Sequence, residues 1–228
     1  MPRHRALPAL VLGVAALLGC STEGPTTAPS SAAAPPGATP SRTPAPAPPP
    51  TSVPPTPRET PARIRTASLT IPAIGVTGLR VVPYEGTTDD WPGTRIQNRG
   101  DAASPYGERG GVGPGDIGNY LVTAHRLSAG GPLRRLPELD EGDRILVTAG
   151  GTRYEYVVTQ TRETSFRSPR SLAEQRAAVP GFPGRNPTRA MITVSTCLTP
   201  EDNAAGNFWR DDRGNPEHRL DKIGVLVS

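Results

Sequence analysis

The sequence predicts a mainly β fold, a barrel or sandwich of short strands with few helices, on three observations. Seven runs rich in Val, Ile, Thr or Tyr (SLTIPAI, GLRVV, NYLVTA, DRILVTA, RYEYVVTQ, AMITVST and KIGVLVS) are bounded by Gly, Pro, Asp or Asn, the pattern of strands separated by turns. One stretch alone reads clearly as helix. The connections are long and do not alternate strand with helix, which argues against a doubly wound sheet.

Taken in order, SLTIPAI opens the folded part and GLRVV follows it at once. Trp91, in the loop DDWPG, is expected to pack or, as a loop aromatic, to line a peptide groove. NYLVTA ends at His125, and LRRLPEL before the turn EGD suits a short helical turn. DRILVTA and RYEYVVTQ are joined through Gly150-Gly151, a tight hairpin signal. SLAEQRAAV, Ser171 to Val179, reads as the helix, with Ser171 as N-cap and Glu174 three residues on in a capping-box arrangement. AMITVST leads into Cys197 and KIGVLVS ends the chain. Gly113 to Gly118 fits G-x-G-x-x-G, but a strand follows it and Pro114 occupies the turn, so it is a loop and not a dinucleotide site.

Only part of the 228 residues takes part in this pattern. MPRHR supplies a basic start and Ala6 to Gly19 is apolar, short of the roughly 20 residues that span a membrane. This is an export signal. From Ser21 to Pro61 the chain is almost all Pro, Ala, Ser and Thr, with Val53 its only branched aliphatic. Such a segment cannot bury a core and behaves as an extended spacer. The expected organisation is therefore a signal over 1–20, a disordered spacer over 21–61 and one domain over 62–228.

Charge excludes one class of partner. Lys plus Arg number 25 against 21 Asp plus Glu, and the net +4 falls to +2 once Arg3 and Arg5 leave with the signal. The arginines are scattered, without a basic helix or aromatic-basic interleaving, so no nucleic-acid partner is expected.

The chemistry rests on few residues. Cys197 follows a strand and precedes a proline-containing acidic loop, and the only other cysteine, Cys20, ends the signal. A bridge between them would tie the spacer to the core, and a thiol without a partner in an exported protein has to be considered as a working group. With His4 lost in the signal, His125 and His218 remain. His125 and Cys197 both stand at strand ends, and Arg219 enters the last strand. His218, next to Arg219, points to the opposite face of that strand. A thiolate supported by an imidazole attacks carbonyls, and a guanidinium holds the oxyanion that results. Two histidines and one thiol at these separations are a poor zinc set, and no cofactor is expected.

These residues and their surroundings resemble the sortase family of cell-wall transpeptidases. LTIPAIGV is similar to the family's first strand, PGDIGNYLVTAHR to the segment with its histidine, ITVSTC to the strand ending in its cysteine, and HRLDKIGVLV to the strand with its arginine. The resemblance runs from about Arg65 to Ser228, with His125 and Cys197 separated by 72 residues and Cys197 and Arg219 by 22. Among subclasses it is most similar to actinobacterial class E sortases. Leu17-Leu18-Gly19-Cys20 resembles a bacterial lipobox, in which the cysteine is acylated. That departs from the family's usual uncleaved transmembrane anchor. A second departure is the long insertion TPEDNAAGNFWRDDRGNPE after the cysteine, expected to wall the substrate groove with Phe208 and Trp209 as apolar contacts.

The resemblance implies a closed β-barrel of about eight strands. It also implies a cysteine transpeptidase that cleaves an LPXTG-like or LAXTG-like sorting signal between Thr and Gly. Cys197 would be the nucleophile, His125 the acid for the leaving amine and Arg219 the oxyanion partner. The partners would be secreted proteins bearing that signal and a lipid II-like cell-wall amine, met at the outer membrane face where lipid on Cys20 or the signal itself anchors the enzyme. The competing reading is a lipoprotein that binds cell-wall peptide without turnover, which has no need of a thiol. A thiol L,D-transpeptidase would show an SHGC-like motif, and the sequence contains none.

Overall fold

The computed structural model describes residues 62–228. Eight strands close into a barrel: β1 (Ala67–Ile71), β2 (Val76–Glu85), β3 (Ala102–Tyr106), β4 (Gly118–Thr123), β5 (Arg144–Ala149), β6 (Thr152–Ser165), β7 (Ala190–Cys197) and β8 (His218–Leu226). Their order around the wall is β1-β2-β3-β4-β7-β8-β6-β5, and β5 closes the ring by pairing with β1. β2 with β3 and β4 with β7 run parallel, and the remaining pairs are antiparallel. Signal and spacer lie outside the described residues.

Alternation of side chains decides what enters the barrel. Leu69 and Ile71 of β1, Tyr120 and Val122 of β4, Ile145 and Val147 of β5 and Ile192 and Val194 of β7 form the interior core. Leu133, Leu136 and Leu139 join them from the connection between β4 and β5. Full burial of each such side chain stabilises by about 1.5–3 kcal/mol. The hairpin between β5 and β6 turns at Gly150 and Gly151 with φ of 56° and 82°, as a type I′ turn requires. LRRLPEL forms a single 3-10 turn over Leu136–Glu138, and the glycine-rich stretch at 113–116 is a turn in which Gly113 N–H donates to Asp116.

Several elements depart from the sequence reading. The PAI of SLTIPAI leaves the sheet as a 3-10 turn closed by Gly75 at φ 73°. β3, with the sequence AASPY, escaped recognition. DDWPG is not a loop: Trp91–Gln97 is a helix, α1, capped by Asp90, whose carboxylate accepts from Gly93 N–H. The predicted helix starts earlier, as α2 over Pro169–Arg176, with Ser168 and not Ser171 as N-cap. Pro169 occupies the first turn, where its missing N–H costs nothing, and Ser171 Oγ instead accepts from Ser165 N–H. A third helix, α3, covers Thr199–Ala204 directly after β7. Among the described residues no helix is long and apolar enough to cross a membrane.

Candidate active site

Residues of β4 and β7 that do not enter the barrel project from its outer wall. On β7 these are Thr193, Ser195 and Cys197, and on β4 they are Asn119, Leu121 and Thr123, with Thr123 paired to Ser195 in parallel register. Continuing that register by two residues brings His125 alongside Cys197. Across the other edge of β7, Cys197 pairs with Arg219 of β8. Cys197 and Arg219 thus stand at one level of β7 and β8, and His125, two residues beyond the end of β4, lines the same cleft as Cys197. The end of β7 is pinned on both sides: Ala124 N–H donates to Ser195 O at 3.2 Å, Thr196 Oγ1 donates to Ala124 O at 2.8 Å, and Leu198 N–H donates to His218 O at 2.9 Å.

Cys197 and His125 open on a cleft of about 300 Å³ whose walls include Trp91, Thr94, Asn98, Arg126, Arg213 and Asn215. The thiol is 8% exposed and lies 3.9 Å from Asn215 Oδ1. Asn215 is fixed by Asp211, which accepts from its N–H at 2.8 Å and its Nδ2 at 3.0 Å. Burial pushes the Cys197 thiol up to about 12, Asp211 and Asp202 add to that, and Arg210 and Arg126 oppose it. Burial also lowers His125 from the ordinary imidazole value. His125 Nε2 lies 2.7 Å from Asn98 Oδ1, the residue that ends α1.

Arg219 is placed across from Cys197, yet its guanidinium does not line the cleft. It is 1% exposed, ion-pairs with the buried carboxylate of Asp89 and stands 5.3 Å over the Phe166 ring. Its Nε has no hydrogen-bond partner. Burial lowers it to about 10, with Asp221 and Tyr84 opposing. Asp89 approaches from a backbone held at φ 64°. Two further arginines lie in the connection between α3 and β8: Arg213 lines the cleft and pairs with Asp211 and Asp212, whereas Arg210 bonds Asn203 and the Trp209 carbonyl. His218 faces elsewhere: its Nδ1 meets Asp202 at 2.6 Å.

The insertion after Cys197 does wall the cleft, through Thr199, Arg213, Gly214, Asn215 and Pro216. Its aromatics do not line it as expected. Phe208 is 70% exposed, and Trp209 lines a second cavity of about 380 Å³, together with Phe166, Leu172 and Asp89, that shares Arg213 with the first. Of the two expectations for Trp91, packing does not hold, since it is 51% exposed, whereas it does line the cleft.

Comparison with known families decides what this arrangement belongs to. A model of the sortase domain matches residues 69–208. The chain belongs to the sortase family. Its enzyme class is therefore that of a cysteine transpeptidase. Solved sortases share its fold. Sortase E from Streptomyces avermitilis is 26% identical with a TM-score of 0.51, over 75% of this chain and 91% of that one. Sortase A from Actinomyces oris is 22% identical with a TM-score of 0.54, over 76% and 86%. Sortase E1 from Streptomyces coelicolor, solved with a tripeptide in its active site, is 21% identical with a TM-score of 0.53, over 75% and 92%. Comparison with curated proteins finds no match.

The sortase-domain match contains His125 and Cys197 and stops before Arg219, whose placement rests on the β7–β8 register. Sequence reasoning missed Asn98, Asn215 and Asp89. An Asn next to Gly and Pro, as in RGNPE, reads as turn chemistry, and nothing local marks Asn98 or Asp89 as partners of residues 27 and 130 positions away. Among the described residues no group of His, Cys, Asp and Glu side chains is arranged to hold a metal.

Proposed function

We propose that this sortase cleaves an LPXTG-like or LAXTG-like sorting signal between Thr and Gly and joins the freed carboxyl end to a cell-wall precursor amine of the lipid II type. The observation that supports this is that Cys197, at the end of β7, and His125, two residues beyond β4, line one cleft, with Arg219 paired to Cys197 on β8. The Cys197 thiolate attacks the Thr carbonyl carbon, forming the C–S bond. His125, as imidazolium, gives its proton to the Gly nitrogen as the C–N bond breaks. The amine product leaves a thioester, and the acceptor amine attacks it, passes its proton to the neutral imidazole and releases the thiolate. Arg219 holds the oxyanion of both tetrahedral states, which requires its guanidinium to turn from Asp89 toward the cleft. The likeness to the Streptomyces avermitilis enzyme supports a place in class E.

Anchoring at the outer membrane face belongs to the same reading, with lipid on Cys20 and the 41-residue spacer from Ser21 to Pro61 setting the reach. Two or more acyl chains suffice for stable attachment, and a fully extended spacer reaches at most about 130 Å. The test is ligation in vitro: a sorting-signal peptide plus an amine such as triglycine should yield the Thr-amide product, and Cys197→Ala should yield none. In cells, a clickable fatty acid should label the wild type and not Cys20→Ser. Equal labelling of both would replace lipid with a plain signal or anchor.

A further inference from the structure

Helix α1 approaches the site at its C-terminal end. It begins at Trp91, on the rim of the cleft, sends Thr94 into the cleft wall and is capped at its C-terminus by Asn98, whose side chain meets His125. The helix is held from the other side: Ile96 packs with Tyr84 and Ala103, and the Asp90 carboxylate caps its first turn. Asn98 N–H donates to Thr94 O at 2.9 Å, so its backbone is set by the helix while its side chain remains free to serve the imidazole.

We infer that Asn98 is a positioning residue for His125, fixing both its ring orientation and the nitrogen that carries the exchangeable proton. With Asn98 Oδ1 at 2.7 Å, Nε2 is the protonated nitrogen of the neutral ring. Nδ1 is then the nitrogen left to exchange a proton in the cleft. When His125 is charged, the same Nε2–H donates more strongly to the amide oxygen, so Asn98 favours the imidazolium. That opposes the effect of burial, which lowers His125. The other charged or titratable groups around the ring are Cys197 at the end of β7, Arg213 from the loop before β8, and Arg126 in its own loop. Arg126 is engaged by Glu201 of α3 at 2.9 Å. The arginines of α1 and its end, Arg95 and Arg99, are exposed. No carboxylate faces His125 unpaired in this set, which leaves Asn98 as the neutral acceptor that supports its charge.

The inference rests on the reading of His125 as the acid, and the experiment separates the two. Asn98 is exposed at a helix end, so Asn98→Ala and Asn98→Asp should fold with unchanged melting temperature. NMR titration of the His125 ring in a Cys197→Ala background should place its pKa lower by about one unit in Asn98→Ala and higher in Asn98→Asp. The acid limb of kcat/KM should move with it in the active-thiol proteins, with kcat for Asn98→Ala falling on the order of tenfold at unchanged KM and recovering in Asn98→Asp. An unmoved His125 titration in both variants overturns the role of Asn98. A titration that moves while the acid limb of the rate stays in place overturns the assignment of His125 as the acid instead.

Discussion

Burial pushes the Cys197 thiol and the His125 imidazole both toward their neutral forms, the first up to about 12 and the second below the ordinary imidazole value. A reaction that needs thiolate and imidazolium together therefore runs through a minor ion pair with the same proton count as the neutral pair. Its kcat/KM should be flat from mildly acidic to strongly alkaline pH, falling only below the lowered His125 value and above the raised Cys197 value. A mechanism needing the thiolate alone would instead climb about tenfold per pH unit across that range, so a pH–rate profile distinguishes them. Arg219 supplies a second prediction. Its charge is buried against Asp89, and removing one partner of such a pair costs about 3–5 kcal/mol. Asp89→Asn keeps a residue that tolerates positive φ but leaves the guanidinium unpaired. Chemical denaturation should show a loss of that order, far above the effect of Arg210→Lys, whose part-buried side chain has only neutral partners, the Trp209 carbonyl and Asn203 Oδ1. Arg219→Lys should keep the charge and lose most turnover, because an ammonium lacks the planar fork.

Helix α2 is held over the outer wall by a closed polar network rather than by apolar packing. Gln175 donates to Asp221 at 2.8 Å and accepts from Thr88 at 3.1 Å, Asp221 also accepts from Ser195 at 2.5 Å and Thr164 at 2.6 Å, and Asn119 caps the helix by donating to the carbonyls of Gln175 and Ala177. All of these side chains are buried. Gln175→Ala should cost about 1–3 kcal/mol in denaturant unfolding by leaving Asp221 a donor short. The helix itself was legible and its start was not. Ser168 and Ser171 both precede helix formers, and the capping-box spacing to Glu174 favoured the second. Glu174 in fact pairs with Arg162 and Arg170, while Pro169 fits only if the cap lies before it. Helix α1 stayed hidden because Pro92 and Gly93 read as breakers, although a proline in the first turn is compatible with a helix. Between β8 and α3, His218 is raised: burial lowers it, and the hydrogen bond and charge of Asp202, with Glu163 and Glu217, outweigh that. Its stabilisation is complete below the unfolded histidine value near 6.5 and is lost as pH rises through the raised folded value. The melting temperature of the wild type should therefore exceed that of His218→Gln by more at about pH 5 than at about pH 9, without a change in turnover per folded enzyme.

The strands were legible because apolar side chains alternate where one face meets the core, as in Leu69, Ile71, Val122 and Val194, but that pattern left barrel and sandwich open and closure came only with the family resemblance. β3 was not, since Ala102, Ala103 and Ser104 carry little β signal and are held by neighbours on both sides, β2 in parallel and β4 antiparallel. The same difference explains the site. Cys197 and His125 stand at the ends of recognisable strands, which made both candidates from sequence. Asp89, Asn98 and Asn215 come from connections whose approach is set by the whole wall, and no local pattern encodes it. What the closed wall provides is a cleft that thiol and imidazole share, with the strand position of Arg219 level with Cys197 and its guanidinium turned to Asp89. The most direct test of that arrangement is intact-protein mass spectrometry of the enzyme incubated with a sorting-signal peptide. The expected result is an adduct on Cys197 with the mass of the peptide through its Thr, accumulating without an acceptor amine, discharged by one, and absent in Cys197→Ala. Cleavage of the peptide by Cys197→Ala, with no adduct on the wild-type thiol, would contradict it.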